Sequence, residues 1–404
     1  MLKFQYAGLQ FGYWVDYLII ISFSTVVMQG RGFNPSEIGL VTTIGAILTI
    51  VLQMTIATIA DRFSKLSLKS ILLALFAGAL LAAGLMVLLP EKYMITFISM
   101  FVAMSLTNVV NPLLVSLCLQ YNDEGIPVDF GIARSIGSLG FAVAGFVMGR
   151  ITEQFGTEVV LPIYCVLLSL LVLLVSFMPK PKRIVSKVKL QPDETSSIPQ
   201  FFTRYPRYVV FLAGAILMFF MQMLINTYMI YFVREFGGGE AEMGTVLSLT
   251  AFAEIPAVAL GVTLVKRYKA QTLLRVAALA GFIKFASLLF VHQIQWFIPI
   301  HLIHFFYSGL YTVSSVYFAD RIVARTDAIK GQSILSVGIT GISGISANLI
   351  GGIMIEHFPI RMVLVLGACI SLLGAVLMFY ATGSHVFKGE KEGAIGGKIF
   401  YTDA

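Results

Sequence analysis

Polar breaks divide this sequence into about twelve apolar segments of roughly 17 to 28 residues, and this length constrains the fold more than any other feature. A helix of about 20 apolar residues crosses the ~30 Å hydrocarbon core of a bilayer. Backbone N–H and C=O groups find no water there, so each crossing segment must be helical. The sequence therefore predicts an all-α membrane protein with twelve transmembrane helices. We place them at residues 4–29, 37–60, 68–89, 93–120, 131–152, 157–178, 208–234, 242–265, 271–291, 295–319, 331–355 and 358–382.

Basic residues are unevenly distributed among the breaks between these segments. Of the 28 lysines and arginines, 21 fall on one predicted side of the membrane. The other side has only Arg31, Lys92, Arg150, Arg234 and Arg361. The positive-inside rule then predicts that both termini and the longest loop are cytoplasmic. Topology thus explains the net charge of +7, and nucleic-acid binding is not expected.

The sequence has no pattern typical of a metal site, a disulfide framework or an enzyme. The three cysteines lie in three different apolar segments without metal-ligand spacing or a disulfide framework. No HExxH, GxSxG or P-loop pattern occurs, and the loops are short. We therefore expect no metal, no cofactor and no enzymatic activity. The first apolar segment lacks a clear cleavage site and is interpreted as an uncleaved helix.

The chain divides into two halves that resemble each other. SEIGL at 36–40 matches AEMGT at 241–245 with a shift of 205 residues, and GRITEQF at 149–155 matches GIMIEHF at 352–358 with a shift of 203. Two matches at nearly one offset indicate an internal duplication. The predicted divisions are a six-helix half at 1–179, a cytoplasmic linker at 180–207, a second six-helix half at 208–383 and a polar, disordered tail at 384–404.

One loop motif suggests a family for this architecture. ATIADRFSK at 57–65 resembles the signature that follows helix 2 in major facilitator transporters, although Ala57 and Ser64 stand where that family has glycine. The resemblance implies two halves related by an axis along the membrane normal, with a substrate site between them. It also implies a conformational role for Asp61 and Arg62.

A few ionisable residues fall at membrane depth, where a charge costs about 2.5 to 3.5 kcal/mol on insertion scales. Glu254 and Asp16 each lie roughly 20 Å along a helix from the nearest predicted cytoplasmic basic residue, and Lys284 roughly 14 Å. His301 and His304 lie on predicted helix 10. A low dielectric disfavours the charged form of a carboxyl group, so we predict proton coupling, with Glu254 as carrier and Asp16 or a histidine sharing the proton. The alternative is a static ion pair between Glu254 and Lys284.

The sharpest resemblance lies in predicted helix 5. DFGIARSIGSLGFA at 129–142 is similar to the start of that helix in oligosaccharide/proton symporters of the lactose permease type and in the related nucleoside and phenylpropionate permeases. The resemblance implies that Arg134 binds solute hydroxyls and that Phe141 stacks on the solute. The alternative for Arg134 is a snorkelling interfacial arginine. Several of these permeases pair this arginine with an aspartate or glutamate of helix 4. Predicted helix 4 of this chain has Ser116 near that place and no carboxylate.

Predicted helices 8 to 11 resemble the same group. Its nucleoside and phenylpropionate branch has a glutamate at the spacing of Glu254 and an arginine at the place of Lys284, while HLIHFFYSGLY at 301–311 and KGQS at 330–333 resemble the motifs of helices 10 and 11. Lysine lacks the planar pair of N–H donors with which arginine binds a partner, so we expect Lys284 to bind its partner in a different geometry.

The combined hypothesis is a monomeric, proton-coupled symporter of a bacterial cytoplasmic membrane that imports a small polar organic solute by alternating access. A sugar or oligosaccharide is the first expectation, and a nucleoside or small aromatic acid the next. A drug/proton efflux antiporter is the alternative. The residues expected to form the solute site are Arg134, Phe141, Asn111, Asn226 and Lys284.

Overall fold

The computed structural model describes residues 2–62, 67–181 and 197–383, and every regular element in these ranges is helical. The first half, defined here as the described residues up to 181, contains α1 (Leu2–Tyr17), α2 (Ser24–Gly30), α3 (Pro35–Arg62), α4 (Leu68–Leu88), α5 (Tyr93–Asp123), α6 (Phe130–Phe155) and α7 (Val160–Phe177). The second half, residues 197–383, contains α8 (Ile198–Arg204), α9 (Pro206–Thr227), α10 (Met229–Glu235), α11 (Glu240–Arg267), α12 (Ala270–Ser287), α13 (Ile294–Ile300), α14 (Leu310–Ile322), α15 (Ala328–Ser336), α16 (Gly344–His357) and α17 (Ile360–Thr382).

Ten helices in the described ranges are long and apolar enough to cross a membrane, and there are eleven if Leu2–Ser22 and Ser24–Gly30, which meet at a 43° bend, form one span. The segment predicted at 295–319 is helical in short pieces instead, from α13 to α14. Pro299 lies inside α13 and has no N–H for the helix ladder, which favours such a break. The all-helical prediction is confirmed. Two other predicted segments are also interrupted, 4–29 between α1 and α2 and 208–234 between α9 and α10.

Three of the membrane segments contain a π-helical turn. These turns are Leu18–Ser22, Phe305–Gly309 and Val337–Ser343. A π-turn inserts one residue per turn, so it changes which side chains share a helix face, and such turns often occur at functional sites. The turn at Phe305–Gly309 lies directly beside the ionisable residues described below.

The two halves meet where α6 packs against α11 and α3 packs against α16. Glycines permit this approach: a Cβ added at Gly244 of α11 would overlap the carbonyl oxygen of Gly145 in α6, and one at Gly39 of α3 would overlap the carbonyl oxygen of Asn348 in α16. Small residues at a helix interface let the backbones come together in this way. The two contacts hold the halves together at the level of the α3 and α11 N-termini, which we name the joined end.

Polar contacts reinforce the joined end. Thr25 Oγ1 donates a hydrogen bond to the carbonyl oxygen of Thr227 at 2.5 Å, and Arg234 Nη1 donates to Gln29 Oε1 at 2.7 Å. Arg234 also forms an ion pair with Glu240 at 2.6 Å. Each of the two hydrogen bonds connects one half with the other, so separation of the halves at this end has to break them.

The described end of the predicted linker is attached to the second half. Phe201 of α8 is fully buried, and its ring lies against the ring of Tyr205 at a centroid distance of 4.9 Å. The Tyr205 hydroxyl donates to Asp327 Oδ2 at 2.9 Å, and burial, together with this carboxylate, raises the pKa of Tyr205. Residues 182–196 of the predicted linker, the predicted tail at 384–404 and the side chains of Asp61 and Arg62 lie outside the described residues.

Substitution of Gly244 by valine tests the packing at the joined end. The added side chain overlaps α6, and such overpacking costs about 1 to 3 kcal/mol, so we expect the two halves to separate more often. The measurement is bismaleimide cross-linking between Gln29→Cys and Arg234→Cys in a background without the native cysteines. The cross-linking yield should fall severalfold.

The matched control is Gly84→Val in α4, since a Cβ at Gly84 meets no atom within 4 Å. This variant should cross-link like the parent chain. Equal yields for the two valine variants would contradict the proposed role of the Gly244 contact.

Candidate functional site

Glu254 occupies the middle of α11, fourteen residues after Glu240 and thirteen before Arg267. Its two carboxylate oxygens face different polar side chains of the interrupted stretch from α13 to α14, which we name the broken segment. Ser308 Oγ donates to Oε1 at 3.4 Å, and His304 Nε2 lies 3.9 Å from Oε2. The Glu254 side chain is 37% exposed, so it is accessible at a depth where the rest of the helix carries apolar residues. Glu254 therefore combines accessibility with two polar neighbours in an otherwise apolar part of α11.

The helical pattern of the broken segment decides which histidine meets Glu254. His304 immediately precedes the π-turn and Ser308 lies within it, so both side chains reach α11. His301 is fully buried one turn earlier, where its Nδ1 donates to the carbonyl oxygen of Phe297 at 3.0 Å. The sequence left both histidines open, and the structure brings His304 alone of the two to the carboxylate.

Lys284 of α12 is fully buried beside a chain of amides. Its Nζ donates to Gln222 Oε1 at 2.8 Å, and Gln222 Nε2 donates to Asn226 Oδ1 at 2.7 Å. The ammonium also lies over the rings of Phe285 and Tyr307, at 5.4 and 5.8 Å from their centroids. Within the described residues Lys284 forms no ion pair, so the static pair with Glu254 does not occur.

Arg134 lies one turn inside α6, whose first turn is capped by Asp129. Its Nη1 donates to Ser138 Oγ at 2.6 Å, and its guanidinium carbon lies 3.8 Å from the ring centroid of Trp14. Gly137 makes this stacking possible, since a Cβ there would overlap Trp14. An arginine over an indole ring is a favourable cation–π arrangement. Arg134 is therefore held against α1 through Trp14.

Phe141 is placed close to this arginine. Its ring packs edge-on against Trp14 at a centroid distance of 6.5 Å, while Trp14 Nε1 donates to Gln10 Oε1 at 3.2 Å. Sequence reasoning missed Trp14 and Gln222, because an aromatic or amide residue on an apolar helix is most often a packing residue. For Trp14 the signal was rarity, because the chain has only two tryptophans.

These groups form one cluster across the two halves. Arg134 and Glu254 lie within electrostatic range of each other, and so do Glu254 and Lys284. The packing of α6 on α11 brings the first pair together. We name this set the central cluster: Trp14, Arg134, Ser138, Phe141, Gln222, Asn226, Glu254, Lys284, His304 and Ser308. Its ionic groups are two cations and one carboxylate, with a histidine beside the carboxylate.

Besides His301, two predicted site residues with described side chains are not part of the central cluster. Asp16 is fully buried, and among the described residues neither of its carboxylate oxygens has a hydrogen-bond partner. Tyr164 and Cys165 of α7 lie within electrostatic range of it. Asn111 is exposed on α5 and forms no hydrogen bond within the described residues. In that part of the chain no three His, Cys, Asp or Glu residues are grouped so as to hold a metal ion.

The sequence model of the MFS_1 like family matches residues 5–365. This chain belongs to that family. It is a transporter of the major facilitator superfamily, as the loop and helix 5 motifs indicated. A probable 3-phenylpropionic acid transporter of Escherichia coli K12 is 24% identical over 358 residues, which cover 86% of this chain and 89% of that protein. The maltose permease of Geobacillus stearothermophilus is 21% identical over 374 residues, 91% of each chain.

The fold of this MFS_1 like protein is also that of known transporters. The crystal structure of the nucleoside transporter NupG superposes with a TM-score of 0.79 at 15% sequence identity, covering 94% of this chain and 98% of that one. These relatives are transporters and not enzymes, which confirms the prediction that this chain has no enzymatic activity.

Replacement of Asp16 by asparagine tests whether its carboxylate has a structural partner. Asparagine keeps the size of the side chain but cannot carry a charge, so the cost of burying a carboxylate is lost and we expect the melting temperature in detergent to stay the same or rise. The matched control is Thr107→Val. This variant loses the 2.8 Å hydrogen bond between Thr107 Oγ1 and the Tyr164 hydroxyl and should melt about 2 to 4 °C lower. A lower melting temperature for Asp16→Asn than for Thr107→Val would show that Asp16 has a stabilising partner.

Proposed function

We propose that this transporter is a proton-coupled symporter that imports a small polar organic solute by alternating access. The observation that carries the proposal is the position of Glu254: an accessible carboxyl group at mid-membrane depth, against His304 of its own half and within electrostatic range of Arg134 of the other half. Because groups of both halves surround Glu254, its affinity for a proton changes when the halves move. Glu254 is thus suited to exchange a proton on alternate sides of the membrane.

The proton carries the energy for uptake in this proposal. A proton that enters down a membrane potential of about 100 mV releases about 2.3 kcal/mol, which sustains roughly fortyfold accumulation of an uncharged solute. Glu254 is the carrier and His304 its neighbour for proton exchange. Asp16 and His301 do not take part in the contact between Glu254 and His304. Their role in proton coupling stays a prediction from the sequence.

The central cluster offers the solute both polar and aromatic surfaces. Arg134, Lys284 and Asn226 supply hydrogen-bonding groups, and Trp14 and Phe141 supply ring faces. The names of two relatives, a maltose permease and a probable 3-phenylpropionic acid transporter, support either a sugar or a small aromatic acid. Asn111 stays a predicted solute contact. The bacterial cytoplasmic membrane, cytoplasmic termini, the two six-helix halves and a monomeric state belong to the same proposal.

The substitution Glu254→Gln tests the proton carrier directly. Glutamine keeps the shape of the side chain but cannot release a proton, so solute-driven alkalinisation of the medium by proteoliposomes should be abolished. Counterflow exchange of labelled solute, which needs no net proton movement, should persist. The probes are maltose and 3-phenylpropionate.

Asp320→Asn is the matched control, because Asp320 is an exposed carboxylate on α14 outside the central cluster. It should keep full alkalinisation. Proton uptake by Glu254→Gln equal to that of the parent chain would remove Glu254 from the mechanism. Expulsion of a solute driven by an inward proton gradient, without uptake, would instead favour the efflux antiporter.

A further inference from the structure

We propose that Glu356 of α16 is a latch of the joined end, because its carboxylate completes the N-terminus of α3, a helix of the opposite half. The proposal rests on the alternating access of the proposed function, in which the joined end must open in every transport cycle. It adds a residue outside the central cluster that controls this opening.

The hydrogen bonds in the first turn of α3 involve both halves. Asn34 Oδ1 accepts from the N–H of Glu37 at 2.8 Å, the N–H of Asn34 donates to Glu37 Oε2 at 2.9 Å, and Pro35 has no N–H. The N–H of Ser36 donates to Glu356 Oε2 at 3.1 Å. The first N–H groups of a helix have no partner within it, and here the second half supplies one.

The charge of Glu356 strengthens this hydrogen bond. The N-terminus of a helix has a partial positive charge, so a carboxylate placed there is favourable. Glu356 is exposed, and water and salt therefore weaken the attraction. A bond of this kind holds the joined end closed, yet it is weak enough to break and form again in each transport cycle.

A glycine one turn earlier brings Glu356 to its partner. A Cβ added at Gly352 would lie 2.5 Å from the carbonyl oxygen of Pro35, the first residue of α3, and 3.1 Å from the Cα of Ser36. The backbone of α3 thus lies directly against this turn of α16, which a side chain at Gly352 would prevent. Residues four apart share a face of a helix, so Glu356 faces the same end of α3 as Gly352 does.

The internal repeat builds the same arrangement a second time. Gly149 of α6 is the counterpart of Gly352, and a Cβ there would lie 2.5 Å from the carbonyl oxygen of Glu240, the first residue of α11. One turn later, Glu153 stands where the second half has Glu356. Equal contacts at duplicated positions indicate one device present in both halves.

The second copy is not closed by a hydrogen bond. Glu153 Oε1 lies 3.1 Å from the place that a Cβ of Gly239 would occupy, beside the start of α11, but Glu153 forms no hydrogen bond within the described residues. The N–H of Gly239 donates instead to Glu242 Oε2 of its own half at 2.8 Å. The closed latch is therefore the one at α3, and Glu153 provides a comparison for it.

Thr43 provides a reporter for the opening of the joined end. It lies about two turns after Ser36, is 6% exposed, and its Oγ1 donates to the carbonyl oxygen of Ile345 of the second half at 3.5 Å. Thr43→Cys, in a background without the native cysteines, is therefore shielded while the halves are joined. The measurement is the rate at which a water-soluble maleimide modifies this cysteine in lipid nanodiscs, which needs neither solute nor a proton gradient.

Glu356→Gln should raise the modification rate about two- to fivefold, since glutamine keeps the size of the side chain but lacks the charge that the N-terminus of α3 attracts. Glu153→Gln should have a smaller effect. Salt at about 1 M should raise the rate of the parent chain toward that of Glu356→Gln, because screening acts on charge and not on packing.

Glu158→Gln is the matched control. Glu158 is an exposed carboxylate at the same end of the protein, but it pairs with Arg31 of its own half at 3.6 Å. This variant loses one negative charge without losing a contact between the halves. Its modification rate should therefore equal that of the parent chain.

The proposal is overturned if Glu356→Gln is modified no faster than the parent chain, or if Glu153→Gln or Glu158→Gln is modified as fast as Glu356→Gln. It is also overturned if salt raises the rate of Glu356→Gln as much as that of the parent. These outcomes leave proton coupling standing, since Glu254→Gln tests it by alkalinisation. Conversely, unchanged alkalinisation by Glu254→Gln would contradict the symporter and leave the latch standing.

Discussion

The close packing of α6 against α11 is the contact on which the rest of this transporter depends. Gly145 and Gly149 of α6 meet Gly244 of α11 with almost no side chain between the two backbones. The same two helices carry Arg134, one turn inside α6, and Glu254, in the middle of α11. One interface therefore both joins the halves and places opposite charges within range of each other.

The fold followed from the sequence because bilayer thickness sets a length that apolar segments must match. Predicted and observed limits differ by a few residues in most segments, for example 93–120 against Tyr93–Asp123. The exception is the segment with His301 and His304. Its hydropathy resembles that of a regular span, but the irregular hydrogen bonding around Pro299 and the π-turn depends on how it packs against α11 and α12, which composition does not encode.

The site was predictable only in part, because contacts between helices are not encoded in composition either. Asp16 and Glu254 look equivalent in the sequence, each a lone carboxyl group at a similar depth. In the structure Asp16 has Cys165 of α7 within electrostatic range, whereas Glu254 contacts His304 and Ser308 and has Arg134 of the other half within range. Arg134 was found through its motif. Trp14 was not, because its role arises from a contact with another helix at Gly137.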